Sequence, residues 1–112
     1  MAKKTIPKKI EKEIFEYVAN LRKDRLPIKK VILFGSYAKG RQHKWSDIDL
    51  CVISPKFKNA FSAMQYLWLK RLNDHGNVIE PVGFSPKDFK EGSSLINEIK
   101  QTGIEIKYNW KS

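Results

Sequence analysis

The stretch from Gly35 to Leu50 most constrains how this chain can fold, because it joins two apolar runs through a glycine turn and a polar loop. The run Val31–Phe34 leads directly into Gly35 and Ser36, a pattern typical of a buried strand that turns into a helix. Glycine lets the backbone approach a ligand without a Cβ in the way. Ser36 is a good N-cap, and the helix that it would open presents free N–H groups to an anion. The turn therefore predicts a phosphate cradle.

Two aspartates at the other end of the same stretch supply negative charge. Asp47 and Asp49 stand two residues apart, at the start of a second apolar run, Leu50–Ile53. On a strand this spacing places both carboxylates on one face, while Ile48 and its alternate neighbours point to the other. Adjacent carboxylates repel each other unless a proton or a cation neutralises them, and Mg²⁺ prefers carboxylate and phosphate oxygens. The sequence therefore predicts a magnesium site beside the phosphate cradle.

The spacing of these two features resembles the signature of a known superfamily. Gly35-Ser36, ten further residues and then Asp47-Ile48-Asp49 are similar to the pattern of the nucleotidyltransferases related to DNA polymerase β. The resemblance is to their smallest form, the minimal nucleotidyltransferases, and it extends over nearly the whole chain. It implies an α+β (α/β) protein in which a small mixed β-sheet is flanked by helices, the nucleotidyltransferase fold. The pattern alone does not fix the order of the strands in the sheet.

The remaining elements are predicted in the order helix, strand, helix, strand, helix, strand, helices, strand. Helices are expected over Lys8–Lys23, from Ser36 to about Gly40, over Asn59–Asp74, from Ser85 and over Leu95–Thr102, and strands over Val31–Phe34, Asp47–Ser54, Asn77–Ser85 and Ile104–Tyr108. Pro81 inside the third strand predicts an edge strand or a bulge. Met64 and Trp68 are expected to be core residues of the third helix.

Length and composition indicate one domain over residues 1–112, with residues 1–7 as a loose basic tail. No apolar run is long enough for a membrane span or for a signal-peptide core. The single cysteine, Cys51, lies in a predicted strand, so we expect a buried reduced thiol and a cytoplasmic protein. The net charge of +10 would attract nucleotides, nucleic acid or an acidic partner, and it does not choose among them.

A two-metal arrangement needs a third carboxylate, and Glu80 is the favoured candidate. It lies among apolar neighbours, where an unpaired charge is costly, and Pro81 restricts it to an extended backbone. The resemblance implies an acidic residue on this strand, although the family usually has aspartate. Glu105 and Asp88 are rivals, but Glu105 is expected to point outward on the last strand and Asp88 is explained by helix capping.

Four further residues accompany the cradle and the aspartates. Lys39 and Arg41 are placed to reach triphosphate oxygens, and the alternative is that they form a solvated basic loop. The family often has arginine where Lys39 stands, and lysine lacks the bidentate fork of that side chain. Trp45 is more often packed on its own domain than stacked on a base. Ser46 is expected to cap or orient the loop before Asp47.

The resemblance implies an enzyme that transfers the NMP group of a nucleoside triphosphate, ATP above all, to an acceptor hydroxyl and releases pyrophosphate. The implied catalytic residues are Asp47, Asp49 and Glu80, which would hold two Mg²⁺ ions. The implied nucleotide-binding residues are Gly35, Ser36, Lys39 and Arg41.

Minimal members of the family are commonly antitoxins, and the resemblance extends the prediction to a partner. That partner would be a helical HEPN ribonuclease toxin, modified by adenylylation of a tyrosine. Three other readings stay open. The enzyme could act on RNA or on a small molecule such as an aminoglycoside. The chain could neutralise a toxin by binding alone, which the intact carboxylates disfavour. It could also be a nucleic-acid-binding module, which the net charge suggests.

Overall fold

The computed structural model describes residues 6–43, 46–71 and 78–107. In chain order its elements are α1 (Lys8–Lys23), β1 (Lys30–Phe34), α2 (Ser36–Lys39), β2 (Ile48–Ile53), α3 (Ala60–Leu69), β3 (Ile79–Phe84), α4 (Pro86–Glu91), α5 (Ser94–Thr102) and β4 (Ile104–Glu105). This confirms the predicted order. Within these ranges no helix has the length and apolar character to cross a bilayer. Trp45, Tyr108, the start of the basic tail and the predicted boundaries at Asp74 and Asn77 lie outside the described residues.

The strands form one mixed sheet in the order β3-β2-β1-β4. β1 pairs antiparallel with β2 and with β4, whereas β2 pairs parallel with β3. The parallel pair requires a crossover connection, which α3 supplies. β3 is an edge strand, as Pro81 predicted. Proline has no N–H, and at an edge that group can face away from the sheet, so no hydrogen bond between strands is lost. The predicted fold class, helices flanking a small mixed sheet, is confirmed.

Apolar side chains cover both faces of the sheet because successive residues of a strand point to opposite sides. One set packs with α1 and α3, and the other packs with α5. The first set includes Val31, Leu33, Ile48, Leu50 and Val52, and the second includes Ile32, Phe34, Cys51 and Ile53. Asp49 lies on the same face as the second set, as the alternation predicted. The burial of β2 on both sides fixes the position of this carboxylate.

The helix α3 departs from the prediction in its length and in its buried face. It ends at Leu69 and buries Ala63, whereas Phe61 is 66% exposed and Met64 and Trp68 are each 38% exposed. The expectation that Met64 and Trp68 are core residues is therefore wrong.

The cause is a close approach of the helix to the sheet at Gly83. A Cβ on Gly83 would lie 3.0 Å from the Cβ of Ala63 and 2.9 Å from Cδ1 of Leu67. Gly83 and Ala63 are small, so the helix can approach the sheet closely on its Ala63–Leu67 side. That side is therefore buried, and the bulkier apolar side of α3 faces outward.

The thiol of Cys51 is free and fully buried, as expected. Burial raises the pKa of this thiol to about 12. Since the thiolate is the reactive form, we expect native Cys51 at pH 8 to react with a disulfide reagent roughly 10³-fold more slowly than it does in denaturant. Absorbance of the released thiol measures both rates. Rapid labelling of the native chain would contradict this burial.

Candidate active site

The glycine turn and the two aspartates meet because β1 ends where β2 begins. In the antiparallel register Phe34 pairs with Asp49. The residues that follow Phe34 therefore face the start of β2, and the predicted phosphate cradle and the acidic pair are neighbours in space.

Gly35 packs directly against the carboxylate of Asp49. Its φ of 74° and ψ of −148° favour glycine, and an added Cβ would lie 2.0 Å from Oδ2 of Asp49. The helix α2 begins at Ser36, so its N-cap is Gly35 and Ser36 is its first helical residue. The expectation that Ser36 caps this helix is therefore wrong. The side chain of Ser36 instead lines the cleft above the aspartates.

Three carboxyl groups cluster at this end of the sheet. Glu80 pairs with Asp49 in the parallel register of β2 and β3, and its carboxyl hydrogen-bonds with those of Asp47 and Asp49. Burial and the two neighbouring carboxylates raise the pKa of Glu80. Burial, opposed in part by the hydrogen bond with Glu80, raises the pKa of Asp49, and the charges of Asp47 and Glu98 add to this rise. Carboxyl groups this close repel one another when all are ionised, and a proton or a cation between them relieves the repulsion.

The two rival acidic residues lie elsewhere. The backbone N–H of Asp88 donates to Oγ of Ser85 at 3.0 Å, in the first turn of α4. Glu105 lies on β4, which β1 separates from β2, and its carboxylate contacts Nζ of Lys30 at 3.8 Å and Nζ of Lys107 at 3.5 Å. Among the three candidates, Glu80 is the one whose carboxyl joins Asp47 and Asp49.

The cluster opens into a cleft of about 270 Å³. The side chains around it belong to Ser36, Arg41, His43, Ser46, Asp47, Asp49 and Glu80. Oγ of Ser46 accepts a hydrogen bond of 2.8 Å from the backbone N–H of His43, so Ser46 orients the loop as the sequence predicted. The structure thus brings Arg41 to the cleft together with the turn and the three carboxyl groups.

Lys39 is not part of the cleft lining. Its Nζ lies 3.3 Å from Oε1 of Glu98, on the exposed side of α5. Glu98 is the residue near the site that the sequence did not reveal, because a single glutamate on an amphipathic helix has no motif to mark it. Its charge raises the pKa of Asp49, so α5 contributes to the electrostatics of the cleft.

The donor chemistry fits a hard divalent cation. Mg²⁺ takes oxygen ligands, retains several waters and commonly binds through a few carboxylates together with substrate phosphates. Within the described ranges, no three His, Cys, Asp or Glu side chains already stand in an arrangement that could hold a metal ion. The carboxyl of Glu80 instead hydrogen-bonds with those of Asp47 and Asp49, so an ion bound here would replace these contacts.

A family model for the nucleotidyltransferase domain matches residues 11–107 of this chain. The chain belongs to the nucleotidyltransferase domain family. As a nucleotidyltransferase it is an enzyme of the transferase class, and the resemblance carried by the Gly-Ser turn and the Asp-x-Asp pair is confirmed.

Three proteins of Methanocaldococcus jannaschii, each named as a candidate protein adenylyltransferase, are similar to this nucleotidyltransferase. One is 52% identical over 82 residues, which are 72% of this chain and 79% of that protein. Another is 38% identical over 61 residues, or 50% of this chain and 61% of that protein. The third is 26% identical over 99 residues, or 87% of this chain and 95% of that protein.

Solved structures share the fold of this nucleotidyltransferase. A candidate nucleotidyltransferase from Sulfolobus solfataricus superimposes with a TM-score of 0.59 at 18% identity, covering 84% of this chain and 76% of the other. A toxin–antitoxin structure with AMP-PNP gives 0.59 at 24% identity, covering 85% and 70%. A mutant of the MntA–HpeT toxin–antitoxin gives 0.57 at 20% identity, covering 80% and 68%. These likenesses establish the nucleotidyltransferase fold.

Proposed function

We propose that this nucleotidyltransferase transfers AMP from ATP, with Mg²⁺, to a tyrosine hydroxyl of a HEPN-type ribonuclease toxin and so acts as an antitoxin. One observation carries the catalytic half of the proposal: Glu80 lies beside Asp49 in the register and joins the carboxyl cluster next to the Gly35–Ser36 turn. The names of the relatives, candidate protein adenylyltransferases, and of the toxin–antitoxin structures support the protein acceptor.

In this proposal Asp47, Asp49 and Glu80 hold two Mg²⁺ ions together with phosphate oxygens and water. The ions would supply positive charge to the triphosphate and to the departing pyrophosphate. Gly35 and Ser36 bind the triphosphate from the turn, and Arg41 adds positive charge from the rim of the cleft. Lys39 would have to leave Glu98 before it could contact a phosphate.

The acceptor oxygen attacks the α-phosphorus, the bond to the bridging oxygen breaks, and pyrophosphate leaves. The hydroxyl proton needs a base within hydrogen-bond reach. Glu80 is the candidate to take it, because its carboxyl lies in the cluster with Asp47 and Asp49, beside the proposed metal ions.

The size of the cleft supports a macromolecular acceptor. Its volume of about 270 Å³ is small for a ligand pocket, for which about 300–1,000 Å³ is usual. A triphosphate already occupies such a space, so the acceptor has to enter from the open side, presented by a second molecule.

An apolar strip on α3, formed by Phe61, Met64 and Trp68, supplies a surface for that molecule. At one end of the strip the indole N–H of Trp68 donates to the carbonyl of Pro81 at 3.2 Å, and Pro81 follows Glu80 in β3. The guanidinium of Arg71 lies 4.0 Å from the Trp68 ring and adds positive charge at this end. Adjoining exposed apolar side chains mark protein interaction sites, and the basic charge would steer an acidic partner.

The test combines this protein, Mg²⁺, labelled ATP and the product of the adjacent gene. We expect the neighbour to gain one or more AMP units on tyrosine by mass spectrometry, and Asp47→Asn to abolish the gain. Phe61→Ser should lower the labelling rate, whereas Leu95→Ser, which removes an exposed leucine from α5, should not. Labelling of RNA or an aminoglycoside with none of the neighbour would reject the antitoxin role and retain the transferase.

Glu80→Gln is expected to retain nucleotide binding and to slow transfer by roughly 10²- to 10³-fold, since a proton acceptor acts mainly in the transition state. Calorimetry measures the binding, and single-turnover labelling measures the rate. Glu105→Gln and Asp88→Asn are matched controls that should transfer at the wild-type rate. Normal transfer by Glu80→Gln beside an inactive Glu105→Gln would move the third carboxylate to β4.

A further inference from the structure

A second cavity, of about 450 Å³, lies at the opposite end of the central strands from the acidic cleft. The cleft stands where β1 ends and β2 begins. The second cavity is lined by the α1–β1 connection, by the β2–α3 connection and by the first turns of α3, so it stands where β1 begins and β2 ends. We call it the distal basic pocket, and none of its lining residues has a part in the chemistry proposed above.

The lining of the distal basic pocket has an excess of positive charge. Arg25, Lys56 and Lys58 line it, and in the part of the chain that the structure describes none of the three forms an ion pair. Asp24 is the acidic member of the lining, and it is already engaged. Its Oδ2 accepts a 2.5 Å hydrogen bond from the hydroxyl of Tyr66, and its Oδ1 forms an ion pair with Nζ of Lys70 at 3.4 Å. Three cations therefore remain for an anionic ligand.

The backbone of Arg25 marks this residue as unusual. Its φ is 63°, and it is the non-glycine residue of the described chain with a positive φ. Its N–H bonds to the carbonyl of Arg22 at 2.9 Å, and that of Leu26 bonds to the carbonyl of Leu21 at 3.2 Å. Glycine is the usual residue after a helix with this bonding pattern, because a side chain there is strained. The chain thus has a long cationic side chain at a position where the backbone favours glycine. Strain of this kind points to a role for the side chain.

The other side of the pocket is apolar and aromatic. Leu26, Phe57 and Ala63 line it, and the ring of Tyr66 stands with its centroid 6.3 Å from that of Phe57. A cavity of this volume has the size of a small-molecule site, and a few polar groups against an apolar lining are typical of one. A simple inorganic anion gains nothing from an apolar surface, so the lining favours an anion that carries an organic group.

We propose that the distal basic pocket binds a small organic phosphate of mononucleotide size. Arg25, Lys56 and Lys58 hold the phosphate, and the organic group lies against Phe57 and Tyr66. Binding here involves no covalent step. The proposal does not rest on the adenylyltransferase function, because among the described residues the pocket and the acidic cleft share none.

The test titrates the full chain with AMP in EDTA and low salt, and follows heat and backbone amide shifts. Without a divalent cation the acidic cleft repels phosphate, so binding there is suppressed. We expect saturable binding, with shifts at residues 25–26 and 56–62 and none at residues 35–36. Inorganic phosphate should compete with AMP and bind more weakly, because it lacks the group that contacts the apolar side.

Arg25→Gly is the decisive variant, because glycine accepts the positive φ and the fold is retained. We expect Arg25→Gly and Lys56→Gln each to weaken AMP binding about tenfold, the usual effect of losing a charged hydrogen-bond partner. Lys87→Gln, which removes an exposed lysine from α4, and Arg41→Gln, which changes the acidic cleft, should leave it unchanged. Absent binding, full affinity in both pocket variants, or loss of affinity in Arg41→Gln would overturn the proposal.

Discussion

Replacing Asp49 with asparagine is expected to reduce AMP transfer roughly 10³-fold, because a charged oxygen ligand is lost where phosphate charge has to be neutralised. Asp49 packs against Gly35 and pairs with Glu80 in the register of β2 and β3, so its carboxylate lies beside both the turn and the third carboxyl group. Single-turnover labelling with ATP and Mg²⁺ measures the loss. Asp88→Asn removes the same charge from the start of α4 and should transfer normally. Equal rates for both variants would exclude Asp49 from the site.

The same substitution should stabilise the metal-free protein at neutral pH. Burial raises the pKa of Asp49 above its usual value of 3.8, so between these two pKa values the folded chain holds a proton that the unfolded chain has lost. Stability therefore falls as the pH rises from 3.8 through the folded-state pKa, and asparagine avoids this fall. We expect the Asn variant to melt a few degrees higher than the wild type at pH 7, and no such gain at pH 3. A lower melting temperature at pH 7 would contradict the assigned cluster.

Gly35→Ala is expected to impair both the fold and the site. The new Cβ would lie 2.0 Å from Oδ2 of Asp49, so the carboxylate has to move, and a displaced reacting group commonly costs about 10²-fold in rate. Strain at φ 74° should add about 1–3 kcal/mol of destabilisation. Transfer kinetics and chemical denaturation measure the two effects.

Gly40→Ala is the matched control for this substitution. Gly40 also has a positive φ, of 70°, but an added Cβ there would have no atom of the described residues within 4 Å. It should show the strain without the displacement of Asp49, and its transfer rate should stay close to that of the wild type. A Gly40→Ala variant as inactive as Gly35→Ala would attribute the loss to backbone strain rather than to contact with the carboxylate.

Much of the fold was predictable because its signals act over a few residues. The order of elements follows from local apolar patterns and turns, and Ser85 and Ser93 cap the helices after them through single hydrogen bonds. The pairing of Gly35 with the aspartates follows from the length of the loop between two strands. The position of Glu80 beside the aspartates was predictable as well, since it is an acidic residue on an otherwise apolar strand, whereas its catalytic role stays a prediction.

The face that α3 buries was not predictable from its own sequence. The helix is apolar on several sides, so its periodicity does not distinguish Phe61 and Met64 from Ala63 as core positions. The contact with Gly83 decides the orientation, and that residue lies on another strand twenty positions beyond Ala63 in the chain. The role of Lys39 was uncertain for the same reason, because its ion-pair partner, Glu98, lies on a distant helix.

The sequence by itself determined the elements, their order and the acidic end of the site, because periodicity, capping and spacing are local properties. The tertiary structure alone decided the strand order and the outward orientation of the apolar strip of α3. It also decided the placement of Arg25, Lys56 and Lys58 around one cavity. These features depend on which surfaces reach close contact when the helices cover the sheet. Such contacts are set by the shapes of residues that lie far apart along the chain, and no local pattern encodes them.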